Sequence, residues 1–225
     1  IASYGNPDKV SFLRSTAKPF QAIPFIKAGG HKHFNLTARE IALICASHSG
    51  TDEHVAAVRG IQEKVGIEED ALLCGTHRPY HTPTSDAMLL RDERPSPNRH
   101  NCSGKHSGML AHAVMKKLTL ESYLENSHLI QELILDDFAK FCQMAPEEVQ
   151  LGIDGCSAPN FAVPLRNAAT AWANLADPTQ LSEKDQEACR TITGAMMAHP
   201  FMVAGPDRFD TALMEAGNGL IAAKG

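Results

Sequence analysis

Seven stretches of this chain carry apolar residues at the spacing of an amphipathic helix, and polar turns bearing Gly or Pro separate them. They cover 17–28, a segment beginning at Thr37, then 51–65, 104–118, 127–142, 164–176 and 182–198. Thr37-Ala38-Arg39-Glu40 is a capping-box pattern ahead of Ile41, Leu43 and Ile44. Val55, Val58, Ile61 and Val65 share one face, and Gly66 ends that helix. Pro19 suits a first turn, whereas Pro24 is expected to bend or end the helix that holds it. In the segment 164–176 the expected buried stripe is Leu165, Ala168, Ala169, Trp172 and Leu175.

Strand-like segments are few. Two short ones flank the turn Gly5-Asn6-Pro7-Asp8 up to Leu13, another spans 149–153, and Leu220-Ile221-Ala222 closes the chain. The distribution predicts an α/β protein, helix-rich, with a sheet that gathers strands near both chain ends. A chain of 225 residues that opens at Ile1 and stops just after a strand-like segment is expected to be a single domain, 1–225, cut from something longer, with its sheet incomplete.

A net charge of -5 and the absence of clustered Lys and Arg argue against a nucleic-acid partner. No run approaches the roughly 20 apolar residues of a membrane span. The six cysteines lack any C-x-x-C pair, so reduced thiols in a cytoplasmic setting are expected. Cys45 and Cys142 fall in helical apolar patterns and read as core fillers, whereas Cys102 and Cys156 sit among glycines and polar residues. The region 76–101, rich in Pro, His and Arg, is irregular except for a short helix at 84–91, and long loops of this kind are usually functional or mobile.

Ser15-Thr16-Ala17-Lys18 is the one Ser-x-x-Lys of the chain. Residues three apart share a helix face, so a lysine with a lowered pKa can take the serine's proton. Chance yields roughly 0.6 such spacings at this Ser and Lys content, and the bland reading is a helix start with a solvated lysine. The site's position at a strand-to-helix transition favours a nucleophile. Ser47-His48-Ser49-Gly50 reads either as a helix C-cap turn or as hydroxyls and an imidazole awaiting a partner. His100 to His106 and Asp154-Gly155-Cys156 read either as two Gly-rich turns or, if folding joins them, as a metal site with two thiolates and an open position.

Arg14-Ser15-Thr16-Ala17-Lys18-Pro19-Phe20-Gln21, Ser47-His48-Ser49-Gly50 with His54, and His100-Asn101-Cys102-Ser103-Gly104-Lys105-His106 stand in that order. Asp154-Gly155-Cys156 with Pro159, and Ala198-His199-Pro200 through Ala204-Gly205, follow them. Together they resemble the motifs of the asparaginase II family, the rhizobial-type L-asparaginases. The resemblance runs from Arg14 to Lys224 and implies a fold related to serine β-lactamases and penicillin-binding proteins. It implies hydrolysis of L-asparagine to L-aspartate and ammonia, with Ser15 and Lys18 as one catalytic pair and Ser47 and Lys224 as the second. Cys102, Lys105 and Cys156 match the family's zinc-binding residues, while Arg14, His106 and Asp154 match residues of the substrate site. A cytoplasmic homodimer acting on this small-molecule substrate, with zinc as cofactor, is the corresponding expectation. Two features depart from the family pattern. The loop Gly205-Pro206-Asp207-Arg208 is larger than usual, and Asp210 sits where some relatives carry a further cysteine.

Two other readings compete. A penicilloyl-type serine hydrolase would need Ser-Asp-Asn and Lys-Thr-Gly, against Ser85-Asp86-Ala87 and Lys224-Gly225 here. A zinc-stabilised binding module would lose its fold with a chelator and release no ammonia.

Overall fold

The computed structural model describes residues 5–224. The strand expected before Gly5 lies outside the described residues. In chain order the elements are β1 (Val10–Phe12), α1 (Lys18–Lys27), α2 (Gly30–His33), α3 (Ala38–Ile44), α4 (Asp52–Val65), α5 (Thr82–Leu90) and α6 (Ser103–Met115). There follow α7 (Leu129–Cys142), β2 (Gln150–Ile153), β3 (Pro159–Pro164), α8 (Leu165–Ala176), α9 (Glu183–Ala198), α10 (Pro200–Val203) and α11 (Phe209–Ala216). Helix makes up 56% of the protein, so the fold is α/β with the sheet as the minor partner. No helix is long and apolar enough to cross a membrane among the described residues.

The sheet is antiparallel in the order β1-β3-β2. It joins the N-terminal strand to a hairpin from the middle of the chain rather than to the C-terminal segment. Leu220 is 88% exposed, and 220–222 form no strand among the described residues. The central strand β3 was not evident from pattern because prolines bracket it. They sit only at its ends, opposite Val10 and Ile153, where a missing N–H costs the ladder least.

The sheet positions α1 through a cluster of rings. Phe161 of β3 stacks on Phe138 of α7 at 4.7 Å, and Phe20 of α1 meets Phe138, Phe141 and Trp172 edge-on at 5.4 to 5.9 Å. Pro24 neither ends nor breaks α1, which continues to Lys27. Phe20, Ile23, Phe25 and Ile26 are all buried against α6, α7 and α9, and that packing outweighs the backbone bond proline removes. At its end Lys27 pairs with Asp137 of α7 and, at 3.4 Å, with Asp185 of α9. On α8 the buried residues are Ala168, Ala171 and Leu175 with Trp172 half-buried, whereas Leu165 and Ala169 face solvent. Cys45 and Cys142 are buried in the core, as their patterns indicate.

The expected helix caps form. Thr37 and Glu40 close a capping box, Thr51 caps α4 together with His54, and Gly66 ends α4 in the left-handed region. Helices α3 and α6 cross at Gly104, where a Cβ would come 2.2 Å from the Leu43 carbonyl oxygen. A backbone atom cannot yield as a side-chain tip can, so Gly104→Ala should destabilise the fold by about 3 kcal/mol. A thermal melt should show the midpoint falling by roughly 6 to 12 °C. An unchanged midpoint would mean the helices do not approach this closely.

Candidate active site

The chain turns sharply between β1 and α1. Arg14 adopts a φ of 51°, a left-handed conformation that is uncommon without glycine, and its N–H is held by Asn160 Oδ1 at 2.9 Å. A turn of 3-10 helix, Arg14–Ala17, then leads into α1 and lifts Ser15 towards the segment that follows α3. There Ser15 Oγ donates to Ser47 Oγ at 3.2 Å.

Ser47 lies on a buried, extended run clamped from both sides. Its N–H reaches the Val203 carbonyl at 3.0 Å, the Ser49 hydroxyl reaches the Ala204 carbonyl at 2.7 Å, and the His48 N–H reaches the Asn101 carbonyl at 3.2 Å. Gly205, at a φ of +111°, permits this approach, since a Cβ there would stand 2.6 Å from Ser49 Oγ. His48 donates through Nε2 to Ser103 Oγ at 2.9 Å and accepts at Nδ1 from the Gly50 N–H. His54 accepts at Nδ1 from Thr51, donates through Nε2 to the Phe201 carbonyl, and stacks between His48 and Phe201. Both rings are neutral structural pieces. Burial pushes His48 well below the usual histidine range and His54 down to about 4.

Lys18 is fully buried, one helical turn beyond Ser15. Its Nζ donates to the Ala46 carbonyl at 2.6 Å and the Asn101 carbonyl at 3.3 Å, so it holds the segment bearing Ser47, while Ser15 bonds to Ser47 itself. Burial lowers the Lys18 pKa, the nearby Lys105 charge lowers it further, and the Cys102 thiolate opposes both. Lys224 is also buried and pairs with Asp210 at 2.5 Å. Its pKa too is lowered by burial, against the pull of Asp210. Asp210, the departure from the family pattern, therefore has a local role as partner of Lys224.

The two Gly-rich segments do meet. Lys105 Nζ donates to Cys156 Sγ at 3.1 Å, with Cys102 alongside, and all three are buried. A hydrogen bond from Cys156 together with the Lys18 and Lys105 charges pulls the Cys102 pKa down despite burial, and the same bond plus burial pushes Cys156 up. The pair is best described as one thiolate and one thiol sharing a proton. Burial disfavours the Lys105 ammonium, but the Cys102 and Cys156 charges outweigh it and raise its pKa. No group of three or more His, Cys, Asp or Glu side chains converges among the described residues, so a metal here would rely on the Lys105 amine as third donor. Two sulfurs and one nitrogen fit the donor preferences of zinc, which would have to displace the shared protons. His106, behind this cluster, is completely buried and bonds through Nδ1 to the Tyr123 hydroxyl at 2.5 Å. Tyr123 also accepts the Leu73 N–H, and His106 Nε2 has no hydrogen-bond partner among the described residues.

A cavity of about 380 Å³ opens over these groups, lined among others by Arg14, Ser15, Asn101, Cys102, Asp154 and Cys156. At its mouth Arg14 and Asp154 stand 3.3 Å apart, presenting both signs of charge. Asp154 also receives the Gly155 N–H at 2.9 Å. His100, which opens the segment His100 to His106, also lines the cavity, as do His77, Arg78 and Tyr80, which motif reasoning did not single out. The only sequence signal for them was the irregular, His-rich character of the region 76–101.

Two hydrogen-bonded serines, a desolvated lysine and a pair of opposite charges lining one cavity are groups of the kind that nucleophilic acyl transfer requires. The profile of the L-asparaginase II family matches residues 1–225, the whole chain, and the chain belongs to that family of asparaginase-type amidohydrolases. No match was found among curated proteins.

Proposed function

We propose that this protein hydrolyses the side-chain amide of L-asparagine to L-aspartate and ammonia, with Ser15 as the nucleophile. The observation that carries the reading is the contact between Ser15 Oγ and Ser47 Oγ beside the buried Lys18 amine. Ser15 Oγ attacks the amide carbonyl carbon while its proton moves to Ser47 and the Ser47 proton moves on to a lysine amine. Of the three buried lysines, Lys18 and Lys224 serve this role, and Lys105 is engaged with Cys156. Burial lowers the pKa of each, which makes a neutral, proton-accepting amine accessible. The C–N bond then breaks, the nitrogen takes the proton and leaves as ammonia, and water cleaves the Ser15 ester to release the new carboxylate. Arg14 and Asp154 suit the substrate's α-carboxylate and α-ammonium, while His106, fully buried and bonded to Tyr123, would act from behind the cavity lining.

Cys102, Lys105 and Cys156 would hold zinc, which when bound supplies a positive charge that polarises or anchors a substrate group. Six cysteines without a disulfide support a cytoplasmic setting, and a homodimer remains part of the proposal. A serine at the start of a buried helix beside an antiparallel sheet supports kinship with the serine β-lactamase fold. The test is ammonia release by the full-length protein from L-asparagine and L-glutamine, with and without added zinc. Asparagine should be preferred by about 10- to 200-fold, the range available to a site that distinguishes one methylene. No ammonia from asparagine under either condition would overturn the proposal.

A further inference from the structure

Asn101 makes an unusual set of contacts for a residue between a turn and a helix. Its carbonyl receives Lys18 Nζ at 3.3 Å and the His48 N–H at 3.2 Å, and its carboxamide Nδ2 donates to Ser47 Oγ at 2.9 Å. One residue thus ties the first lysine to the second serine. Asn101 is itself gripped from the other side. With the His77 Nδ1–H committed to the Arg78 carbonyl oxygen, Nε2 accepts the Asn101 backbone N–H at 3.1 Å and so fixes the backbone that carries the carboxamide. The imidazole is locked in turn by its Nδ1, 2.5 Å from the Arg78 carbonyl oxygen, by Tyr80 stacked at 4.7 Å, and by His100 edge-on at 4.3 Å.

A serine hydroxyl has two lone pairs and one proton. At Ser47 the lone pairs are taken by the Asn101 amide and by the Ser15 hydroxyl, so the Ser47 proton must point elsewhere. The same amide donor stabilises negative charge as it develops on Ser47 Oγ.

We propose that Asn101, held by His77, is a positioning residue that fixes the direction of proton transfer from Ser15 to Ser47 and so makes Ser15 the nucleophile and Ser47 the relay. The inference rests on the amidohydrolase reading but is separable from it, because serine nucleophilicity is measurable without an amide substrate. The proton leaves Ser15 Oγ, is received by Ser47 Oγ, and the Ser47 proton passes to a lysine amine, so no charge is created or lost overall.

The experiment follows sulfonylation of the full-length protein by phenylmethanesulfonyl fluoride, locating the adduct by peptide mass spectrometry, together with kcat and KM for L-asparagine. In Asn101→Ala the rate of labelling at Ser15 and kcat should each fall about 100-fold, the usual consequence of losing one preorganised donor. KM should change by less than about 3-fold, because the lost interaction acts on the reacting oxygen rather than on substrate binding. His77→Ala, which leaves the amide in place but releases the Asn101 backbone N–H that positions it, should give an intermediate loss of about 10-fold at an unchanged melting temperature. If both variants label Ser15 at the wild-type rate, or if the adduct forms on Ser47 in the wild type, the assignment is overturned. Labelling that slows in Asn101→Ala when even the wild type releases no ammonia would uphold the positioning role while removing the asparagine reading.

Discussion

Replacing Lys18 with Met should reduce kcat for ammonia release about 1,000-fold, the scale expected for loss of a positioned acid–base group. Lys18 has no exposure to solvent, and its amine donates to the carbonyls of Ala46, the residue before Ser47, and of Asn101. Burial already lowers its pKa, so the neutral form needed to accept a proton is accessible. Lys18→Arg should not restore activity, because a guanidinium keeps its charge at any working pH and cannot act as a base. Steady-state kinetics on the two variants, with a thermal melt to show that each folds, checks the expectation. Substantial turnover in Lys18→Arg would show that the residue acts as a fixed charge and a strut instead.

The second large effect concerns acid. His54 and His112 are buried, and burial holds each at about 4 in the folded protein, against an ordinary histidine value of 6.5. The unfolded chain therefore binds more protons than the folded one between those two values, and stability falls as pH drops through that window. The slope from the two rings fades only about a pH unit above 6.5, where the unfolded imidazoles have also lost their protons. Each accounts for about 3 kcal/mol once the window is crossed, and together they should remove about 5 kcal/mol between pH 7 and 4.5. Asp137, raised by burial, works in the opposite direction at lower pH, so the comparison should stop at 4.5. Urea unfolding at pH 7, 5.5 and 4.5 measures the slope. Burial lowers His31, His48 and His106 as well, and they add to the same slope, so His112→Phe should remove only its own share of the loss, about 2.5 kcal/mol, because the new ring packs where the imidazole meets Phe25 without taking up a proton. A midpoint independent of pH across this range would contradict the burial of both rings.

Much of the helical body was legible because its signals are local. A Thr and a Glu three residues apart, or a Gly after an apolar face, act within one turn, so α3 begins, and α4 begins and ends, where pattern placed them. The sheet was less legible, since its central strand is defined by partners about 150 residues away for β1 and by prolines that matter only at its ends. Pro24 misled for the same reason, because local chemistry argues for a break and tertiary packing decides otherwise. Of the site, the Ser15 to Lys18 spacing and the Cys102, Lys105 and Cys156 residues could be named in advance through family resemblance. That Ser15 would bond to Ser47 rather than to Lys18 could not, nor could Asn101 and His77, whose contacts span 54 and 24 residues of chain.

The most direct measurement is ammonia release from L-asparagine by the full-length protein beside its Ser15→Ala variant, each checked by a thermal melt. The predicted result is measurable turnover in the wild type and a loss of at least about 1,000-fold in Ser15→Ala with the melt unchanged. Wild-type turnover in Ser15→Ala would contradict the account, because the hydroxyl that the turn at Arg14 presents to Ser47 would then have no part in the reaction.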